Sequence, residues 1–271
     1  MTVYRKLNAW KGTAAVLLFT ISLLNALSVE GGLPGQKEKS HIVFLISEDP
    51  DNYEATRTIP VFADLLKREH GFKVTVLRGE GDRAAFRFPG LEVLSQADLV
   101  VVFCRRVALS HEQINMIKNY LRQGKPLVGI RTANHAFTVR GEISNGFEAW
   151  PEFVSEILGC ENRGYGKQEL GTDVAVVPSA KGNPILKGFE PAQWHSQGSL
   201  YLVAPLLDKE AIVLVTGKAQ EKIEPIAWTR YTADKSRVFY TSLGFPSNFG
   251  MPQFQNLLVN GIYWALNIKA P

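Results

Sequence analysis

The 271-residue sequence predicts an α/β protein whose sheet is flavodoxin-like, doubly wound and mostly parallel, with helices on both faces. Short, continuously apolar runs recur along the chain, as expected for strands that are buried on both sides. Segments with helical spacing separate these runs, and this alternation favours right-handed crossovers between parallel strands. The apolar content of 45% is sufficient for one large core.

The first half of the chain supplies the central elements of the predicted sheet. Apolar residues at helical spacing before Gly71 predict a first helix. Ser110 and Gln113 have the pattern of an N-terminal capping box for a second helix, which ends at Gly124. The strands on either side of these helices are predicted at residues 41–46, 72–77, 98–103 and 125–130.

The second half of the chain contains shorter elements. Residues 150–158 predict a helix, because Pro151 takes a position that the first turn tolerates. A last helix is expected to pack back on the sheet through one apolar face, which consists of Phe254, Leu257, Leu258, Ile262 and Ala265. Further strands are predicted at residues 173–177, 200–203, 211–215, 226–229 and 238–240.

Residues 1–28 have the pattern of a signal peptide. Basic residues precede an apolar run at 13–27 that is short for a membrane span, and small residues surround a cleavage position near Ser28. We therefore expect a periplasmic or secreted protein with no stable membrane insertion after cleavage, and an uncleaved anchor is the alternative. Residues 29–40 are predicted to be a flexible tether and residues 41–268 a single domain.

Charge and cysteine content limit the classes of function that fit this chain. Three of the 30 basic residues lie in the predicted signal peptide, which leaves 27 against 26 acidic residues. A nearly neutral chain gives no electrostatic argument for binding nucleic acid. Cys104 and Cys160 are interpreted as two buried thiols rather than as a disulfide framework.

Polar residues follow three of the predicted strands, where ligands of open α/β sheets bind. His135 is the candidate general acid or base, with Glu48 or Asp49 as the catalytic partner that would orient it. Substrate is expected to contact arginines that suit oxyanions and sugar hydroxyls, together with neighbouring side chains. These candidate binding residues are Arg105, Arg106, Arg131, Tyr53, Glu54 and Trp194.

Alternatives remain open at several of these positions. Arg105 and Arg106 can instead form ion pairs that cover the edge of the sheet, and Trp194 can pack its loop on the core rather than meet a sugar ring. A divalent metal held by His135 with an acidic residue is neither required nor excluded, because the sequence does not complete a ligand set. Arg131 stands where a nucleophile elbow has Cys or Ser, and a guanidinium cannot attack a carbonyl.

Several motifs resemble one known family, the ThuA-like proteins of the trehalose-utilisation type, which have a class I glutamine amidotransferase-like fold. The similarity covers residues 41–266 and implies a single domain in carbohydrate metabolism that acts on glycosides or their keto derivatives. It also places Arg131 where amidotransferases carry the catalytic cysteine, so glutaminase activity is not expected. The matching motifs are SEDPDNYEAT (47–56), ADLVVVFCRR (97–106), KPLVGIRTANHAF (125–137), NPILKGF (183–189), GSLYLV (198–203), PIAWTR (225–230), RVFYTSLG (237–244) and LLVNGIYWAL (257–266).

Two departures from the family pattern bear on function. Many relatives have His at the position of Phe245, and many carry His around residues 161–168, where this chain has none. The first hypothesis is an exported, sugar-active hydrolase, lyase or isomerase with a small carbohydrate as substrate. The second is a carbohydrate-binding or interaction module that uses the same rim without turnover, and the third is a structural domain. The sequence does not determine the sugar, the cofactor or the oligomeric state.

Overall fold

The structure, a computed structural model, describes residues 39–271. The predicted signal peptide and most of the predicted tether therefore lie outside the described residues. Within the described range, no helix is both long enough and apolar enough to cross a membrane.

The described residues form a mixed sheet with helices packed against it. Three α-helices span Ala55–His70 (α1), His111–Arg122 (α2) and Pro252–Ala265 (α3). The strands in chain order are β1 His41–Ser47, β2 Lys73–Asp82, β3 Ala85–Arg87, β4 Leu99–Phe103, β5 Leu109–Ser110, β6 Leu127–Ile130, β7 Phe147–Glu148, β8 Thr172–Val176, β9 Gln193–Ser196, β10 Ile212–Ala219, β11 Lys222–Tyr231 and β12 Arg237–Thr241.

The order of the strands in this sheet is β7-β5-β3-β2-β1-β4-β6-β12-β11-β10-β8-β9. The five strands from β2 to β12 in that order are parallel to their neighbours. An antiparallel extension from β12 through β11, β10 and β8 to β9 completes one side. The predicted α/β class with a parallel centre is confirmed, although the sheet as a whole is mixed.

Both faces of the sheet are covered, and β1 shows how. Ile42, Phe44 and Ile46 contribute to a core cluster with the apolar residues of α1 and α3. Val43 and Leu45 point to the opposite cluster, which includes the buried face of α2. Because β1 is buried on both faces, its sequence from Ile42 to Ile46 is continuously apolar rather than alternating.

Two predicted elements differ in the structure. Residues 153–158 form a π-helical segment, and Arg230 donates to the carbonyl oxygens of Glu156 and Ile157 near its end. The predicted strand at 200–203 is wrong, because this segment has only an isolated bridge between Tyr165 and Tyr201. The buried carboxylate of Glu224 accepts the N–H groups of residues 203 and 204, which removes donors that a sheet ladder would need.

The predicted caps and thiols can be checked individually. The Ser110 hydroxyl accepts the backbone N–H of Gln113, so the predicted N-cap of α2 is confirmed. The Gln113 amide instead exchanges two hydrogen bonds with the backbone of Phe88, and the second half of the capping box is absent from the described structure. Cys104 and Cys160 are buried free thiols, as predicted, and burial raises the pKa of Cys160 to about 12.

Candidate functional site at the carboxyl edge of the sheet

A cavity of about 410 Å³ opens beyond the carboxyl ends of β1, β4 and β6, and we call it the site cavity. Tyr53 and Glu54 reach it from the segment after β1, Arg105 and Arg106 from the segment after β4, and His135 from the segment after β6. The structure thus brings together the three strand ends that the sequence predicts to share a rim. Such a position is where open α/β sheets bind ligands.

One buried amide holds these three strand ends together. The side chain of Asn52 donates to the carbonyl oxygens of Ser47 at 3.2 Å and Phe103 at 2.8 Å, which are the last residues of β1 and β4. Its oxygen accepts the hydroxyl of Thr132, just beyond β6, at 2.6 Å. Because Asn52 is fully buried and uses both ends of its amide, it fixes the spacing of the segments that line the site cavity.

Backbone strain is concentrated in the same place. Seven non-glycine residues between 39 and 271 have positive φ, and four of them are at this edge of the sheet. A left-handed conformation at residues with long side chains is unfavourable and persists only where the surroundings enforce it, which is common at functional sites. The four residues are Tyr53, Glu54, Arg106 and Arg131.

Arg131 is the most unusual of the predicted site residues. Its side chain is buried, with 1% exposure, and its guanidinium carbon lies 4.1 Å from the ring centre of Tyr53 and 4.7 Å from that of Tyr201. One terminal nitrogen donates to the carbonyl oxygen of Ser242 at 2.7 Å, but Nε has no hydrogen-bond partner. No carboxylate in residues 39–271 forms an ion pair with it.

This placement bears on the expected role of Arg131, which stays a prediction. We expected it to bind substrate directly, but it lies behind the tyrosines and is not part of the cavity wall. The backbone at Gly198 packs closely on the guanidinium, because a Cβ on Gly198 would come within 2.9 Å of Nη1 of Arg131. Arg131 can act on a ligand through its charge and through the two phenol rings that it positions.

His135 lies on the cavity wall, where its surroundings favour the neutral imidazole. Its Nδ1 is 2.9 Å from the side-chain oxygen of Asn134, and because that oxygen can only accept, Nδ1 carries the proton and Nε2 has the free lone pair. Burial lowers the pKa of His135 well below its usual value, and the charges of Arg106, Arg105 and Arg131 lower it further. A neutral imidazole with an unprotonated Nε2 is suited to accept a proton.

Neither of the predicted orienting partners, Glu48 and Asp49, forms a hydrogen bond with His135 in the described part of the chain. Asn134 takes the position that we expected for Glu48 or Asp49. Asp49 instead forms an ion pair with Arg83 at 2.6 Å and lies 3.7 Å from Arg105, while Glu48 is exposed.

Arg105 and Arg106 are neighbours in the sequence but differ in their ion pairs. Arg105 is 3.1 Å from Asp51, so the alternative of an edge-covering ion pair is confirmed for this residue. Arg106 forms no ion pair with any carboxylate of the described chain, and Glu54 pairs with Arg57. Within residues 39–271, no three His, Cys, Asp or Glu side chains are grouped so that they could hold a metal ion.

The two tyrosines beside Arg131 differ in acidity. Burial alone would raise the pKa of Tyr53, but the charge of Arg131 and a hydrogen bond with Tyr201 outweigh it and lower the pKa below its usual value. Burial raises the pKa of Tyr201 above its usual value. Two titratable groups with pKa values moved apart are a common arrangement for a proton donor and a proton acceptor.

Sequence reasoning missed part of the cavity wall, and one predicted site residue packs on the core. Ser199 and Tyr201 lie on the wall, although the sequence predicts a strand there. Trp194 is in β9, its ring centre is 6.2 Å from that of Phe189, and it packs on the core, as the packing alternative expects. The contact of Trp194 with a sugar stays a prediction.

The sequence did contain an indication of the part of the cavity wall that was not predicted. The two positions at which the chain departs from the family pattern, Phe245 and the segment 161–168, both contribute to the cavity wall. Tyr165, Gly166 and Gln168 come from that segment. A different side chain on the wall of a ligand site changes which groups of a ligand can be bound.

Comparisons with known proteins agree with this fold. The model of the ThuA family, described as trehalose utilisation, matches residues 43–265. A ThuA-like protein of Bacteroides uniformis has a similar structure, with a TM-score of 0.61 and 17% identity over 83% of this chain and 91% of its own. A ThuA-like protein of Parabacteroides merdae gives a TM-score of 0.59 and 18% identity over 86% and 93% of the two chains. No curated protein sequence matches the chain.

Proposed function

The chain belongs to the ThuA family, whose description as trehalose utilisation indicates a carbohydrate-related role, and we propose that it binds a glycoside or keto-sugar in the site cavity and processes it by proton transfer. The observation that carries this proposal is the position of His135 on the cavity wall, with Tyr53 on the same wall, and burial and neighbouring arginines lower the pKa of His135. Two such groups can remove a proton at one atom of a sugar and return one at another.

His135 is the proposed general base. Its Nε2 accepts a proton from a hydroxyl group or from a carbon next to a ketone, while Asn134 keeps the proton of the resting imidazole at Nδ1. The negative charge that develops on a sugar oxygen is stabilised by Arg106, which reaches the same cavity, and by the field of the buried Arg131. Glu48 and Asp49 remain predicted participants, and their contribution is expected to be indirect.

Aromatic side chains give the cavity a surface for sugar rings. Tyr53, Tyr165, Tyr201 and Phe245 all contribute to the wall, and the ring centres of Tyr53 and Phe245 are 5.9 Å apart. The C–H faces of sugars pack on such rings, while the hydroxyl groups find partners in Ser199 and the arginines. We propose that glutaminase activity is absent, because Arg131 supplies no nucleophile at the end of β6.

A carbohydrate-binding module without turnover is the second candidate, and Phe245 is the observation that favours it. Relatives that the sequence resembles carry His at this position, and here an apolar ring takes its place on the cavity wall. Loss of a group that transfers protons or binds metal would leave a site that holds a sugar and does not change it.

Three further assignments belong to this proposal. The order β2-β1-β4-β6-β12 of the parallel strands supports classification as a flavodoxin-like, doubly wound fold. The basic and apolar pattern of residues 1–28 supports export to the periplasm or the medium. The near balance of charge outside that segment supports a small-molecule partner rather than nucleic acid.

The test is product formation by the full chain with trehalose, other disaccharides and their keto derivatives, followed by mass spectrometry. His135→Asn should lower the rate by about a hundredfold or more, because general-base catalysis typically contributes that much. His195→Asn is the matched control, since His195 is exposed and pairs with Asp173 away from the site cavity. An unchanged rate in His135→Asn would refute the assignment, and ligand binding without any turnover by the parent chain would establish the second candidate.

A further inference from the structure

The arginines around His135 outnumber the carboxylates that form ion pairs with them. Six arginines lie at or near this edge of the sheet, and their ion pairs involve three carboxylates, those of Asp49, Asp51 and Glu54. The three arginines without a carboxylate partner in the described part of the chain are Arg106, Arg131 and Arg140. Building on the proposed function, we propose that the site cavity selects a sugar that carries an anionic group, a carboxylate above all, and that Arg106 binds this group.

Arg106 is the arginine best placed to make the contact. It contributes to the cavity wall and its side chain is half-buried, so a ligand can reach the guanidinium without leaving the cavity. Burial and the like charges of Arg140 and Arg105 lower the pKa of Arg106, which means that its positive charge is held at a cost. A bound anion would offset that cost, as a carboxylate does in an ordinary ion pair.

The backbone holds Arg106 beside the proposed base. Its N–H donates to the carbonyl oxygen of His135 at 3.0 Å, and the next N–H, that of Val107, donates to Ala136 at 2.8 Å. Arg106 also has a positive φ of 52°, an unfavourable conformation that these bonds enforce. An anionic group on Arg106 would therefore place the rest of the ligand next to His135.

Buried polar groups near the cavity are independent evidence for an anionic ligand. Arg131 is 1% exposed, has no counter-charge among residues 39–271 and leaves Nε without a partner. The amide nitrogen of the buried Asn134 is a second donor without a partner. A buried cation is expensive unless a negative charge lies nearby, so this edge of the sheet is preorganised for a negative ligand.

A guanidinium recognises carboxylates and phosphates through the same pair of parallel hydrogen bonds. The shared chemistry is therefore an oxyanion attached to a sugar, and the two sources need separate probes. Glucuronate and gluconate present a carboxylate, glucose 6-phosphate presents a phosphate, and glucose presents neither. Within the described chain, Arg106 is the one arginine that reaches the cavity wall without an ion-pair partner, and its single charge matches that of a carboxylate. We therefore expect the carboxylates to bind more tightly than the phosphate.

The experiment is titration calorimetry of the full chain with these four probes at low salt and at 0.5 M NaCl. Glucuronate or gluconate should bind about tenfold or more tightly than glucose, and added salt should reduce the difference. Arg106→Gln should abolish the preference for the sugar acids over glucose. Arg122→Gln is the matched control, because Arg122 is an exposed arginine at the end of α2 that bonds only Asn119.

The outcomes separate this inference from the proposed function. Equal affinity for glucose and for the sugar acids, or a preference that survives in Arg106→Gln, would overturn the inference and leave a neutral-sugar site intact. A preference for glucose 6-phosphate over the carboxylates would keep the anionic class and reject the carboxylate. Absence of binding by all four probes would overturn both proposals. If Arg106→Gln does not fold, Arg140→Gln, which changes an exposed neighbour, should lower the preference by a smaller factor.

Discussion

Arg230 and Arg131 are both nearly buried, yet their surroundings are opposite. Arg230 is 2.7 Å from the carboxylate of Asp208 and also donates to two backbone carbonyl oxygens. Arg131 has two tyrosine rings and one short bond to a carbonyl oxygen, and no carboxylate of the described chain pairs with it. The first arrangement satisfies a charge and locks a segment, whereas the second leaves a charge that a ligand can use.

Removing each guanidinium should show this difference most strongly. Arg230→Met should lower the free energy of unfolding by about 3 kcal/mol, because Asp208 and two carbonyl oxygens lose their partner. Arg131→Met should change it by about 1 kcal/mol or less, since an uncompensated buried cation contributes little net stability. Urea unfolding of both variants provides the measurement, and equal losses would contradict the distinction between the two arginines.

A smaller effect is expected from crowding Arg131 without removing it. A Cβ at Gly198 would lie 2.9 Å from Nη1 of Arg131 and 3.0 Å from Cβ of Phe245. Gly198→Ala should therefore cost about 2 kcal/mol and weaken ligand binding, because both neighbours belong to the site. Gly250→Ala is the matched control, with no atom within 4 Å of the added Cβ. Similar melting temperatures for the two variants would show that the packing around Arg131 is loose.

The smallest effect concerns pH. Burial would raise the pKa of Asp208, but its hydrogen bond with Arg230 lowers the pKa below the usual value. The stabilisation is therefore complete above the pKa of the unfolded state, near 4, and is lost as the pH falls through the lower folded value. Asp208→Asn should be less stable than the parent chain at pH 7 and should approach it at pH 2. A constant difference in unfolding free energy over this range would contradict the ion pair.

The central strands could be predicted because their burial leaves a local signal. A strand covered on both faces has few polar positions, and β4, β6 and residues 42–46 of β1 carry no polar side chain. The edge strands β3, β5, β7 and β9 have two to four residues each, with polar or half-exposed positions, and their pairing is set by distant partners. No short-range pattern identifies such strands.

The candidate site was predictable in part for a similar reason. His135 and Arg106 follow buried strands in the sequence, and topology alone brings parallel strand ends together. The contact of Arg131 with Tyr201 could not be predicted, because the two residues meet only through the irregular segment that Glu224 keeps out of the sheet. The role of Asn134 depends on a side-chain orientation that spacing does not encode.

The central claim is that burial and the neighbouring arginines keep His135 neutral as a base on the wall of the site cavity. Nitrogen-15 NMR of the full chain between pH 5 and pH 8, with His135→Asn to assign the signals, measures this directly. The account predicts that His135 stays neutral with its proton on Nδ1 throughout, because burial and the neighbouring arginines lower its pKa. Protonation of His135 with a midpoint near the ordinary value of about 6.5 would contradict it.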